Sequence, residues 1–131
     1  MKLHILVFLL LAFHYSFAQN TTMKEKMYSI EIIRYNVPAD QQENFEKSYA
    51  KAVEHLKASP YCLGFEIIRG VEERNKYVVR IHWTSVDDHL QKFRSSVEFK
   101  SFFALVRGFY NNIEEMKHYE KVISDPSAVI R

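Results

Sequence analysis

The chain has 131 residues, a length that fits one domain, and it carries 18 lysines and arginines against 16 aspartates and glutamates. This near-neutral balance provides no basic surface for nucleic acid or for an anionic membrane, which disfavours both as partners. The single cysteine, Cys62, cannot form an intrachain disulfide and is expected to be a small buried apolar residue rather than a reactive or intersubunit thiol.

The first 18 residues predict a signal peptide. Lys2 precedes an apolar run over residues 5–13, and Ser16-Phe17-Ala18 ends in the small-x-small pattern of a signal-peptidase site. The run is too short for a permanent membrane span, which favours cleavage over an uncleaved anchor. We therefore expect export to the periplasm or the medium, with no stable membrane insertion after cleavage. Removal of Lys2 leaves 17 basic and 16 acidic side chains.

A flexible tail is expected over residues 19–26, before a folded domain over residues 27–123 and a second tail over residues 124–131. Residues 27–37 are rich in β-branched and aromatic side chains and predict the first strand, which Pro38 ends. Residues 40–59 place their apolar side chains on one helical face and predict an amphipathic helix.

A predicted hairpin follows the first helix. Residues 61–72 and 76–83 have strand character and are separated by a short polar turn, which favours antiparallel pairing. Thr84 and Ser85 then provide a cap for a helical segment that begins near Val86. A break near Ser95-Ser96 leads to a second helical segment, and residues 113–123 predict the fourth strand.

The predicted order is βαββαβ, with the second helical position split into two segments. This order is typical of the α+β ferredoxin-like fold, a four-stranded antiparallel sheet with its helices on one face. The strands are apolar on both faces, so the face without helices needs a cover. A second copy of the chain is expected there, which would form a homodimeric α/β barrel with space for a small aromatic or hydrophobic molecule.

Ionisable residues occupy interior positions of all four predicted strands, and they are Glu31, Arg34, Glu66, Arg69, Arg80, His82 and His118. Two interpretations stay open: structural salt bridges, or a polar patch in an apolar cavity that orients a carbonyl or phenolate and moves a proton. Strand alternation puts Arg80 and His82 on one face of the third strand and Trp83 on the other. Glu31 and Arg34 also have opposite parity.

The histidines do not have the spacing of a metal-binding helix. The sheet could bring His82 and His118 together, but two histidines without a close third ligand seldom hold an ion, so we expect no metal. There is no Gly-x-Ser-x-Gly motif, no glycine-rich phosphate loop and no other cofactor signature. The sequence therefore predicts no bound cofactor.

The segment around the end of the third strand resembles the antibiotic biosynthesis monooxygenase family. The resemblance rests on Trp83-Thr84-Ser85, on Asp87-Asp88-His89-Leu90 and on the phrase from Phe93 to Phe99. It covers nearly the whole mature chain, residues 28–122, and includes residues 59–65 before the second strand and residues 113–119 at the end. It implies a dimeric α/β barrel. It also implies oxygenation of aromatic or quinol substrates without flavin, metal or haem.

Some residues differ from those that the resemblance implies. Val79 stands where polyketide-oxidising members have Asn, His89 where they have Tyr, and Phe93 where the family's His-x-x-Ser-x-x-Phe phrase begins with His. No histidine follows Phe99-Lys100 as it does in the haem-degrading relatives, which disfavours haem degradation.

Two functions are predicted as alternatives. The first is a cofactor-independent monooxygenase, in which His82 and His89 transfer protons and Arg80 stabilises an oxyanion. Substrate would contact the side chains of Trp83, Phe93, Phe103 and His118. The second is a non-catalytic barrel that binds a small hydrophobic molecule. This assignment of catalytic roles to Arg80, His82 and His89 requires the three side chains to open onto one enclosed cavity.

Overall fold

A computed structural model describes residues 28–125. The predicted signal peptide, the first predicted tail and residues 126–131 lie outside these residues. The strands are β1 (Ser29–Asn36), β2 (Cys62–Arg69), β3 (Lys76–Trp83) and β4 (Ile113–Tyr119), and the α-helices are α1 (Gln42–Ala58) and α2 (Val97–Val106). Two 3₁₀ turns (Ala39–Gln41 and Arg107–Asn112) and a π-helix (Asp88–Phe93) connect them.

The four strands form one antiparallel sheet in the order β2-β3-β1-β4. The predicted α+β ferredoxin-like fold is confirmed. The bounds of β3 match the prediction, whereas β2 ends three residues earlier, before the turn in which the Lys76 amide donates to the Glu73 carbonyl. The prediction for β4 was too long. Its last residue, Tyr119, pairs with Ile30 near the start of β1, so the strand has no partner beyond that point.

Alternating side chains give the sheet two different faces. On the helix-facing side, β1 and β3 contribute buried residues that pack against the apolar stripe of α1. Phe45 lies at the centre of this core, with its ring within about 5 Å of the rings of Tyr35, Tyr49, Tyr77 and Phe109. Aromatic rings in tilted and edge-to-face contact fill this layer and fix its thickness.

The opposite side of the sheet, the open face, carries Ile30, Ile32, Val78, Arg80 and His82. Both α-helices lie on the other side of the sheet, and within residues 28–125 this face has no covering layer. No helix in the same range is both long enough and apolar enough to cross a bilayer.

Candidate functional site

A cavity of about 480 Å³ lies between the helix-facing side of the sheet, α2 and the Arg107–Asn112 turn. This volume is within the range of small-molecule sites. Most of the lining is aromatic or aliphatic, and the aromatic members are Tyr35, Tyr49, Trp83, Phe93, Phe99, Phe102, Phe103 and Tyr110. The ionisable side chains of Glu31, His89, Arg94 and Arg107 interrupt this lining and give the cavity its chemistry.

Glu31 projects from β1 into the helix-facing layer because it has the same strand parity as Ile33 and Tyr35. Only 2% of its surface is exposed. Its Oε2 accepts a hydrogen bond of 2.9 Å from Nε1 of Trp83, the last residue of β3. Burial raises the pKa of this carboxyl, although the Trp83 hydrogen bond and the charge of Arg94 act in the opposite direction.

His89 enters the same layer from the π-helix and stacks on Trp83, with the ring centroids 4.2 Å apart and the ring planes within 5° of parallel. Its Nε2 lies 3.5 Å from Oε2 of Glu31. Burial lowers the pKa of His89 to about 3, and the nearby charge of Arg94 and the His118 ring add to this shift. The imidazole is therefore neutral at ordinary pH and does not form an ion pair with Glu31.

His118 is the third member of the group and comes from β4. It pairs with Glu31 in the β1–β4 register, and its Nε2 lies 2.7 Å from Nδ1 of His89, a hydrogen bond in which either nitrogen can donate. Burial and Arg94 lower the pKa of His118 as well. His118 is only half-buried and lies on an edge strand. The triad of Glu31, His89 and His118 thus leads from the cavity towards the edge of the sheet.

The triad contains two histidines and a carboxylate, which are residue types that bind transition metals. One ligand atom from each residue can be chosen so that all three lie within 4.8 Å of one another. However, the two short contacts of His89 use different nitrogens of its ring, Nε2 towards Glu31 and Nδ1 towards His118. A single ion at about 2.0–2.2 Å from each ligand cannot use both contacts. The observed geometry fits a path for protons better than a metal centre.

Arg94 lies at the end of the π-helix and lines the cavity at the triad. Its charge acts on the pKa values of all three triad residues. The Arg94 amide donates to the His89 carbonyl at 3.2 Å, so the two residues are joined by one hydrogen bond of the π-helical type. A neutral imidazole, a buried carboxyl and a guanidinium therefore meet at one end of an apolar cavity.

Comparison with known proteins identifies the family of this chain. The sequence profile described as "Antibiotic biosynthesis monooxygenase" matches residues 27–105, more than half of the chain. The chain belongs to this family. YczJ of Bacillus subtilis (strain 168), described as an uncharacterized protein, is 25% identical over 81 residues, which are 62% of this chain and 85% of YczJ.

Solved structures have the same family fold. A Bordetella bronchiseptica protein, described as a "Putative antibiotic biosynthesis monooxygenase", has a TM-score of 0.62 and 25% identity, covering 74% of this chain and 99% of that protein. SnoaB from Streptomyces nogalater, described as a cofactor-independent oxygenase, has a TM-score of 0.59 and 16% identity, covering 79% of this chain and 99% of SnoaB. At this identity, SnoaB supports the fold alone.

The residues predicted to form one family site do not all meet. The expectation that Arg80, His82 and His89 share a cavity is wrong, because Arg80 and His82 lie on the open face while His89 lies on the helix-facing side. Arg80 forms an ion pair with Glu66 at 2.6 Å, as the structural interpretation proposed. Strand parity also separates His82 from His118, which contacts His89 instead.

The side chains predicted to contact substrate fall into two groups. Trp83, Phe93 and Phe103 line the cavity, whereas His118 lies behind His89 and is not in the lining. Their roles with substrate stay predictions.

Two residues of the site were not assigned as functional from the sequence. In the sequence, Glu31 is one of several strand charges, and Arg94 lies within the phrase from Phe93 to Phe99. A signal for Glu31 exists, since its strand neighbours on the same face, Ile33 and Tyr35, are apolar. The sequence has no comparable signal for Arg94, because the direction in which its side chain points depends on the π-helix.

Proposed function

We propose that the protein is an oxygenase that acts on a small aromatic or quinol substrate without a bound cofactor. The observation that carries this proposal is the triad at the polar end of an aromatic cavity. The cavity binds the flat rings, and the triad removes a proton from a phenolic or activated C–H group. Loss of this proton gives an electron-rich anion that can react with dioxygen directly.

Glu31 is the proposed base. Its Oε2 holds both the Trp83 hydrogen bond and the His89 contact, and Oε1 accepts no hydrogen bond from the described residues. A carboxylate whose pKa is raised by burial is a stronger base than an exposed one, which brings it closer to the pKa that general-base catalysis requires. Oε1 is therefore available to accept a proton from a ligand in the cavity.

His89 and His118 provide an exit for that proton. Rotation of the Glu31 carboxyl group brings the protonated oxygen towards His89. In the tautomer with the His89 proton on Nδ1, Nε2 accepts this proton while Nδ1 passes one to Nε2 of His118. His118 then releases a proton from Nδ1 at the half-buried edge of the sheet. Because His89 gives up one proton as it accepts another, it does not accumulate as a cation, which agrees with its low pKa.

The reaction balances without an external reductant. Oxidation of an aryl-activated CH₂ group to C=O removes four electrons from the substrate. One atom of dioxygen enters the carbonyl, and the other leaves as water with the two hydrogens of the CH₂ group. Membership of the antibiotic biosynthesis monooxygenase family supports this reaction class.

Oxygen uptake by the mature chain tests the proposal. The substrates are a panel of hydroquinones and anthrone-like phenols, and His89→Ala is compared with the parent. His82→Ala serves as the matched control because His82 lies on the open face. We expect uptake that is lost in His89→Ala and kept in His82→Ala. If no substrate gives uptake although aromatic molecules bind, the protein is a binding module and the oxygenase proposal is wrong.

We also propose that the open face packs against a second copy of the chain. Nε of Arg80 and Nε2 of His82 are buried there without a hydrogen-bond partner among the described residues, and Ile30 and Ile32 are only half-buried. A facing sheet would supply both partners and cover. Light scattering should give a dimer for the parent and a monomer for Ile32→Glu. A parent that stays monomeric at high concentration would contradict this.

Export is a separate proposal, which rests on the predicted leader alone. Expression with the full leader should release a chain that begins at Gln19, as read by N-terminal sequencing. A released protein that still begins at Met1 would contradict this proposal.

A further inference from the structure

We propose that the natural ligand of this cavity is an aromatic anion, most simply an aryl carboxylate, and that Arg94 binds its charged group. The inference concerns the cavity of the proposed oxygenase and names its substrate class. It rests on the charges around the cavity and on the Arg94 guanidinium, which has no acceptor among the described residues.

The cavity lining is electropositive. Its charged side chains are Glu31, Arg94 and Arg107, while His89 is neutral. The lining thus carries two positive charges against at most one negative charge, and protonation of Glu31 would remove that one. An apolar pocket with excess positive charge favours an anionic ligand over a neutral or cationic one, because low-dielectric walls strengthen the attraction.

Arg94 and Arg107 differ from the other arginines of residues 28–125. The side chains of Arg34, Arg69 and Arg80 pair with carboxylates, and that of Arg74 donates to a backbone carbonyl. The guanidiniums of Arg94 and Arg107 have no such acceptor among the described residues. Arg94 also does not form an ion pair with Glu31, although it is close enough to affect the pKa of that carboxyl. Among residues 28–125, no acceptor occupies the donors of its planar guanidinium.

The position of Arg94 selects it over Arg107 as the primary contact. Arg94 lines the cavity together with Glu31 and His89, and its amide is hydrogen-bonded to the His89 carbonyl, so a group bound to it lies near the triad. Arg94 is an exposed residue as well as part of the lining, so it need not lose all its water on binding. Guanidinium and carboxylate match in a two-point hydrogen bond, which lysine cannot reproduce. The ring of such a ligand would then contact Phe93 and Phe99.

Isothermal titration of the mature chain with 2-naphthoate and with its neutral isostere 2-naphthamide tests this inference. We expect the parent to prefer naphthoate. Arg94→Gln should weaken naphthoate binding about 10- to 100-fold, the range for a lost hydrogen bond to a charged group, and leave naphthamide binding unchanged. Arg94→Lys should recover only part of the loss. Arg74→Gln, in the β2–β3 turn outside the cavity, is the matched control and should bind naphthoate as the parent does.

Equal affinity for the two probes, or an Arg94→Gln variant that binds naphthoate as the parent does, would overturn the inference. Absence of binding by either probe would overturn it as well. These results are separate from the oxygenase proposal, since oxygen uptake on neutral hydroquinones can persist when carboxylate selectivity is absent. Conversely, selective naphthoate binding without any oxygen uptake would support the anion site and contradict the oxygenase.

Discussion

The two faces of the sheet carry similar residue types in different surroundings. On the helix-facing side, Glu31 meets His89 in a layer where both are at most 3% exposed. On the open face, Glu66 meets Arg80 with more than a third of each side chain exposed. Burial makes the first pair chemically unusual, whereas the second pair is only partly buried within one chain and is an ordinary ion pair. Strand parity alone decides which carboxylate is in which setting.

The largest contrast between the faces is expected in activity. Glu31→Gln keeps the shape of the side chain and an acceptor for Trp83, but it removes the proposed base. We expect oxygen uptake to fall about 10²- to 10⁴-fold, as for loss of a general base. Glu66→Gln, the matched change on the open face, should leave uptake nearly unchanged. An active Glu31→Gln variant would show that the helix-facing carboxylate is not the base.

The second contrast concerns stability in acid. The pKa of His89 is about 3 in the folded chain and near its ordinary 6.5 in the unfolded chain. Between these values the unfolded chain binds more protons, so the folded state loses stability as the pH falls from about 6.5 towards 3. Urea unfolding should show a loss on the order of 1–2 kcal/mol between pH 7 and pH 5 that His89→Gln removes.

His82→Gln is the comparison for that experiment. Burial lowers the pKa of His82 as well, and the charges of Arg80 and Lys121 add to this shift, while the Glu66 carboxylate offsets part of it. We expect a change in pH dependence of the same sign and of smaller size. If His82→Gln reduces the loss of unfolding free energy in acid more than His89→Gln does, the open face is the more strongly desolvated one.

The smallest contrast concerns single hydrogen bonds to carboxylates. Trp83→Phe removes the buried Nε1–H donor of Glu31, and we expect the free energy of unfolding to fall by about 1–3 kcal/mol. Tyr119→Phe removes the corresponding donor to Glu115 on the open face, where Tyr119 is exposed and Glu115 is only partly buried, and should have little effect. Chemical denaturation of both variants measures the difference. Equal losses would show that burial does not separate the two faces.

Much of the fold could be predicted because each element has a local cause. In β3 the buried residues Tyr77, Val79, Ile81 and Trp83 alternate with those of the other face, and Ser96 caps α2 by accepting a hydrogen bond from the Phe99 amide. The end of β4 had no local cause. β4 ends where its partner β1 begins, and this depends on the pairing of the two strands. The apolar residues Val122 and Ile123 continue the strand-like pattern in the sequence and give no sign of this end.

The site was less predictable for the same reason. The contact between His89 and His118 joins residues 29 positions apart and requires the β1–β4 register, including the irregularity between Arg34 and Tyr35. The sequence identifies which residues can ionise, but the two faces can be told apart only by parity. Parity correctly separates Arg80 from Trp83, yet it cannot place a helical residue such as His89 relative to the strands.

The π-helix makes the site sensitive to chain length. Its wide turn connects the His89 carbonyl to the Arg94 amide five residues later, so both residues reach the same end of the cavity. Deletion of one residue between them would restore ordinary α-helical spacing and turn every later side chain by about 100° relative to His89. A single codon lost from this segment would therefore separate the histidine from the arginine without removing either, and related chains could gain or lose an anion site in one step.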